Sequence, residues 1–166
     1  MTRRIARALL LAGVGLAANP VRADLPITPE RVLEVRPDRT TWSSLDVSPD
    51  GHTLVFDVMG DLYTMPAKGG AASQVSEGLA FDSQPRFSPD GRWITFTSDR
   101  NGSENIWIAH PDGSEARVIS DFDDETVMVS PTWSASGDAV FASRFRPDLN
   151  NYELWRFPLN GTAERL

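Results

Sequence analysis

From Thr41 onward, short runs of β-branched and aromatic residues alternate with clusters of turn-forming residues. Thr53-Leu54-Val55-Phe56-Asp57-Val58 and Trp93-Ile94-Thr95-Phe96-Thr97 read as strands: such side chains suit a pleated surface, and turn signals bound each run. Leu62-Tyr63-Thr64-Met65, Ile106-Trp107-Ile108-Ala109 and Leu154-Trp155-Arg156-Phe157 read as shorter strands, closed by Pro66, Pro111 and Pro158. Asp50-Gly51 and Asp90-Gly91, each after Ser-Pro, predict hairpin turns. Proline presets the first φ, and glycine takes the positive φ without a Cβ clash. Asp112-Gly113 and Asn160-Gly161 mark a second tight turn.

These elements repeat. Segments 46–70, 86–113 and 132–161 align, and their turn glycines Gly51, Gly91 and Gly137 stand 40 and 46 residues apart. A period of this length signals a repeat architecture. Leu62 to Gly69, Ile106 to Gly113 and Leu154 to Gly161 each span seven residues, whereas the first glycine to those aliphatics spans 11, 15 and 17. One half of the unit is therefore fixed, and a surface loop in its middle varies. Two hairpins in series make about four short strands, which is a propeller blade. The expected fold is all-β: a partial β-propeller of about three four-stranded blades at 41–80, 81–124 and 125–166. The last is expected to be incomplete, its final strand starting at Thr162 and half built at Leu166. Three blades do not close a ring and leave blade faces bare, so the chain is expected to be the front of a longer protein.

The N-terminus has a different character. Arg3, Arg4 and Arg7 precede eleven small and apolar residues, Ala8 to Ala18, and Val21-Arg22-Ala23 follows Asn19-Pro20. This is the layout of a secretory signal peptide over 1–23, with cleavage between Ala23 and Asp24. Eleven helical residues cover roughly 16 Å, about half of a bilayer core, so no membrane span is expected after cleavage. An extended segment, 24–40, with Pro26, Pro29 and Pro37, leads to the first blade. The 166 residues carry a net charge of −7, and removing residues 1–23, which hold four arginines and no acid, takes it to −11. A nucleic-acid partner is not expected of such a surface. The absence of cysteine excludes disulfides, thiolate metal sites and cysteine nucleophiles. A periplasmic or secreted location follows as the expectation.

Phe87-Ser88-Pro89-Asp90-Gly91, Phe96-Thr97-Ser98-Asp99-Arg100, Asn105-Ile106-Trp107 and Asp112-Gly113 resemble the TolB-type or tricorn-type propeller repeat, over roughly Thr41 to Leu166. Blade three departs from it, with Ser134-Ala135-Ser136-Gly137 in place of Ser-Pro-Asp-Gly. Thr41–Gly51, Val55-Phe56-Asp57, Gly60-Asp61-Leu62-Tyr63 and Ala80-Phe81-Asp82-Ser83-Gln84-Pro85 resemble more narrowly the N-terminal propeller of exported bacterial amidohydrolases. That resemblance implies a non-catalytic part framing or gating a downstream active site that holds a zinc-type divalent metal. Its partner would be that downstream catalytic domain. The alternatives are a TolB-like periplasmic propeller that docks a protein or peptide, and the propeller of a tricorn-like or prolyl-oligopeptidase-like peptidase.

Candidate chemistry within the chain is sparse. His52 and His110 are 58 residues apart, too few and too separate for an amidohydrolase metal set. No Gly-x-Ser-x-Gly elbow occurs. Ser48, Ser88 and Ser134 recur in phase with the turn and read as turn-capping hydroxyls. No catalytic, cofactor or metal residue is therefore assigned; the marked positions are the blade turns Asp50, Gly51, Asp90, Gly91, Gly137, Asp112, Gly113, Asn160 and Gly161. Asp121-Phe122-Asp123-Asp124-Glu125 lacks the glycine and spacing of a calcium loop and reads as a solvated connection. Asp57 and Asp61, flanking Gly60, read as turn caps. Trp107 and Trp155, with Tyr63 as counterpart, read as packing between blades, and Trp93 as exposed.

Overall fold

The computed structural model describes Thr40 and residues 42–166. The expected signal peptide, the Ala23/Asp24 cleavage point and segment 24–39 lie outside the described residues. Among the described residues, twelve strands form three antiparallel sheets of four, each in simple chain order. The first holds β1 (Leu45–Val47), β2 (Thr53–Val58), β3 (Asp61–Pro66) and β4 (Ser73–Gln74). The second holds β5 (Asp82–Phe87), β6 (Ile94–Ser98), β7 (Asn105–Ala109) and β8 (Arg117–Val118). The third holds β9 (Val127–Trp133), β10 (Ala139–Arg146), β11 (Asn151–Pro158) and β12 (Glu164–Arg165). The all-β expectation and the three-blade partial propeller are what the structure shows.

The sheets taper towards their outer edges. β4, β8 and β12, the outer strands, have two residues each. Short outer strands offer little open backbone for unwanted pairing.

Alternation along the strands decides which blade each side chain touches. Val55 and Leu62 of the first sheet pack with Phe87, Ile94, Phe96 and Ala109 of the second. Ile106 and Ile108 turn the other way, onto Met128, Val140, Ala142 and Phe157 of the third. The middle sheet is thus covered on both sides, and all five residues of β6 are buried. β2 and β10 bury mainly one face. Trp107 packs with the first cluster and Trp155 with the second, one in each seam, as a repeated aromatic should. Trp93 is half-buried rather than exposed, because His110 stacks on it at 4.1 Å between ring centres. The free sides keep apolar residues in solvent: Leu45 and Val47 on the first sheet, Tyr152 and Leu154 on the third.

Backbone contacts join the blades as well. Gly113, at φ 85°, sits where an added Cβ would lie 2.2 Å from the Val75 carbonyl oxygen, so only glycine lets the outer hairpin of the second blade meet the first. Along the inner strands, Phe87 N donates to Asp46 Oδ2 (2.9 Å), Arg86 Nη1 to Leu45 O (3.0 Å), and Trp133 Nε1 to Arg86 O (3.1 Å).

Stacking on both sides of the middle blade has a measurable consequence. Phe96→Ala should cost about 3–5 kcal/mol and Phe56→Ala, on the free side of β2, no more than about half as much. Urea midpoints at unchanged slope measure both. Equal losses would contradict this arrangement of faces.

Candidate functional site

The turns marked by the sequence gather at one end of the sheets, where each inner strand hands over to its neighbour. Three copies of one device stand there. Ser48 Oγ accepts from Thr53 N (2.9 Å) and donates to Asp50 Oδ1 (2.6 Å). Ser88 does the same with Trp93 N (3.0 Å) and Asp90 (2.6 Å). In the third blade Ser134 accepts from Ala139 N (3.2 Å) and donates to Asp138 (2.7 Å). The aspartate lost from Ser-Ala-Ser-Gly is replaced by one on the far side of Gly137. Gly51, Gly91 and Gly137 take φ of 75°, 70° and 72°. Asp112 is bound by Ser114 N and Oγ before Gly113, and Asn160 and Gly161 follow β11. A hollow of about 460 Å³ lies between the first two of these turns. Its polar wall groups Ser48, Asp50 and Asp90 are already engaged in the turns, which leaves little to offer a ligand.

The opposite end is different. Met59 and Gly60 form the two-residue hairpin between β2 and β3, with φ of 57° and 92°. Both central residues need positive φ in such a turn, and Met59 is left 83% exposed. Gly60 O accepts from Asp82 N (2.8 Å), and a Cβ on Gly60 would come within 2.9 Å of the Phe81 ring. The hairpin therefore docks directly on the start of the second blade. Between them lies a cavity of about 290 Å³, walled by Trp42, Met59, Phe81, Asp57, Asp82 and Gln84 among others. Trp42 is fully exposed, Phe81 is 61% exposed, and Leu79 just before it is exposed as well.

The polar floor of this cavity joins the blades. Asp57, read from the sequence as a turn cap, instead accepts from Ser44 N at Oδ1 (2.8 Å) and from Gln84 N at Oδ2 (2.9 Å). Gln84 and Ser130 occupy matching positions in β5 and β9, both with φ 57°, where each inner strand shifts register against its neighbour. Such a bulge leaves an amide without a ladder partner. Asp57 takes the first, and Gln84 Oε1 accepts the second from Ser130 N (2.7 Å). Asp82, 1% exposed, holds Arg100 Nη2 through Oδ2 at 2.5 Å, and Arg100 lies over the rings of Phe96 and Trp107. The other oxygen, Asp82 Oδ1, is buried without a hydrogen-bond partner. Asp61 is half-buried beside this site; burial, then the charges of Asp82 and Glu77, push its carboxyl above the usual range.

Other residues singled out by sequence are spent on structure. His110 Nδ1 lies 2.8 Å from Arg92 O, and His52 is exposed at its own turn. The acidic run from Asp121 is not merely solvated: Phe122 packs edge-on against Trp155 and Phe157, while Arg144, 7% exposed, covers Phe122 and pairs with Asp124. Among the described residues, no three His, Cys, Asp or Glu side chains gather where a metal would sit.

Comparison with known proteins gives a consistent picture. A family model described as the TolB β-propeller domain matches residues 38–165. An uncharacterized protein of Agrobacterium fabrum is 34% identical over 106 residues, which are 61% of this chain and 36% of that protein. Tricorn protease homolog 1 of Streptomyces coelicolor is 29% identical over 97 residues, 58% of this chain and 9% of the relative. A solved structure described as a TolB of Agrobacterium tumefaciens superposes with a TM-score of 0.65 at 27% identity, covering 76% of this chain and 50% of its own. The chain spans about a third of the first of these curated relatives and half of the solved TolB.

Carboxylates at the two ends should respond oppositely to acid. Hydrogen bonds from Ser48, Ser88, Ser114 and Ser136 hold Asp50, Asp90, Asp112 and Asp138 below the usual range. Their contribution to stability is present above the ordinary value of 3.8 and is lost as pH falls through the lowered folded values. Burial raises Glu104, so its charged form opposes folding at neutral pH, a cost relieved as pH falls through its raised value. Glu104 Oε1 also accepts from Met128 N (3.1 Å), a role glutamine preserves. Glu104→Gln is expected to match or exceed the wild-type urea midpoint at pH 7, with any advantage shrinking towards pH 4, while both proteins lose stability below that. A clear loss at pH 7 would contradict the assignment.

Proposed function

The chain belongs to the TolB β-propeller family, and on that premise we propose that it is a non-catalytic binding module, docking an extended polypeptide segment at the rim formed by Trp42, Met59, Leu79 and Phe81. The observation that carries this reading is the exposure of three large apolar side chains, Trp42, Met59 and Phe81, around one cavity with a buried polar floor, with Leu79 exposed two residues before Phe81. Exposed apolar groups clustered in this way, with polar groups to orient what lies on them, suit recognition of a chain with alternating side chains. The layout of residues 1–23 supports export, and so a periplasmic or extracellular partner.

A second reading keeps the same rim and adds chemistry elsewhere. Similarity to a short stretch of a tricorn protease homolog supports a propeller that frames a hydrolase active site in a longer protein. The amidohydrolase parent rests on the residue likeness between Thr41 and Pro85. The relatives named above favour the binding and peptidase readings over it. Any zinc-type metal would belong to that further domain.

Selection from a random heptapeptide library on the full chain, followed by calorimetric titration, tests the rim. Selected peptides should lose about tenfold or more in affinity on the Trp42→Ala/Phe81→Ala double variant, whose positions are exposed enough to spare the fold. Peptides that bind both proteins equally would place recognition elsewhere and overturn the proposal.

A further inference from the structure

Among the described residues, six that are not glycine take a positive φ: Trp42, Met59, Gln84, Glu115, Ser130 and Asn150. Three of them, Trp42, Met59 and Gln84, line the same cavity of about 290 Å³. A left-handed backbone is costly for a residue with a bulky side chain, and a fold keeps it only where something offsets the strain.

For most of the six the offset is visible. At Gln84 and Ser130 the freed amides bind Asp57 and Gln84, which joins the blades. Asparagine visits this region readily, which accounts for Asn150. Glu115 reaches His110 at 3.6 Å. Trp42 and Met59 have no such return, since their side chains are 100% and 83% exposed and packing within the chain repays neither. The hairpin at Met59-Gly60 would be better served by asparagine, the residue that such turns favour before glycine. The chain thus holds a large apolar side chain against both backbone preference and solvent, at two points on one rim. Local rules broken without structural gain mark functional positions.

We propose that Trp42 and Met59 are the anchors of the rim, kept despite this strain to grip a bulky apolar side chain, leucine or phenylalanine in kind, that the docked polypeptide inserts at the cavity mouth. An indole supplies broad apolar area, and a flexible thioether adapts to aliphatic or aromatic shapes. The inference rests on the reading of the rim as a polypeptide-binding surface and names what recognises and what is recognised.

Heptapeptides selected on the full chain serve as probes. Met59→Asn should raise the urea midpoint, because it relieves the turn, and yet weaken those peptides about fivefold or more. Met59→Leu, which keeps both bulk and strain, should recover most of the lost affinity. Alanine in place of the peptide's leucine or phenylalanine should cost much less against Met59→Asn than against the wild type, since both changes remove one contact. A midpoint that stays or falls would show that the fold itself uses Met59, and would overturn the proposal. So would an unchanged affinity, full additivity, or a loss on Met59→Leu as large as on Met59→Asn. In those cases peptides that still lose affinity on the Trp42→Ala/Phe81→Ala variant leave the rim standing. Selection of no peptide, or of peptides that bind that double variant equally well, would overturn the rim and its anchors together.

Discussion

A sheet of four short strands has two faces and cannot cover either one by itself. Everything in this molecule follows from that constraint. The second blade is satisfied on both sides: Ile94, Phe96 and Ala109 enter the seam with the first blade, while Ile106 and Ile108 enter the seam with the third. Apolar burial of this kind is worth roughly 25 cal/mol per Å² and is the dominant force available to a small all-β domain. The hydrogen-bonded contacts between inner strands add direction. Asp46, Asp57 and Gln84 each accept a backbone amide from the following blade, which fixes the angle at which one sheet leans on the next.

The same stacking builds the binding rim. The hairpin at Met59-Gly60 is as short as a hairpin can be, so the first blade can close onto Phe81 and Asp82 without a loop intervening. The second and third blades carry longer loops at the corresponding position, between Ser98 and Asn105 and between Arg146 and Asn151. One blade pair thus gains a cavity with an apolar mouth, and its floor is made from side chains whose main task is to hold two blades together. Asp82 is the exception, because half of its carboxylate is left over after the structural pair with Arg100.

Much of the fold was legible in the sequence because propeller turns depend on few residues. Ser48, Ser88 and Ser134 announce themselves by phase, and glycine at 51, 91 and 137 answers a backbone demand that other residues meet poorly. The bulges at Gln84 and Ser130 were not legible, since positive φ there falls on residues with no strong turn signature. Asp57 was misplaced for a related reason. Its position beside Gly60 suggests a local cap, but its partners are Ser44 and Gln84, one of them in another blade, and sequence proximity does not show them. The acids of the 121–125 stretch are exposed, as a solvated connection requires, but Phe122 packs inward and Arg144, twenty residues beyond Asp124, pairs with that acid, which the local sequence does not show.

The central claim is that stability is concentrated in the blade with both faces covered. Native-state hydrogen exchange on the full chain measures this directly, because amides open with the free energy of the unit that protects them. Amides paired within β6 and β7 should exchange slowest, through global unfolding, while those of β2 and β3 and of β10 and β11 open earlier. Equal protection of the central strands in all three blades, or faster exchange in the second than in its neighbours, would contradict the account.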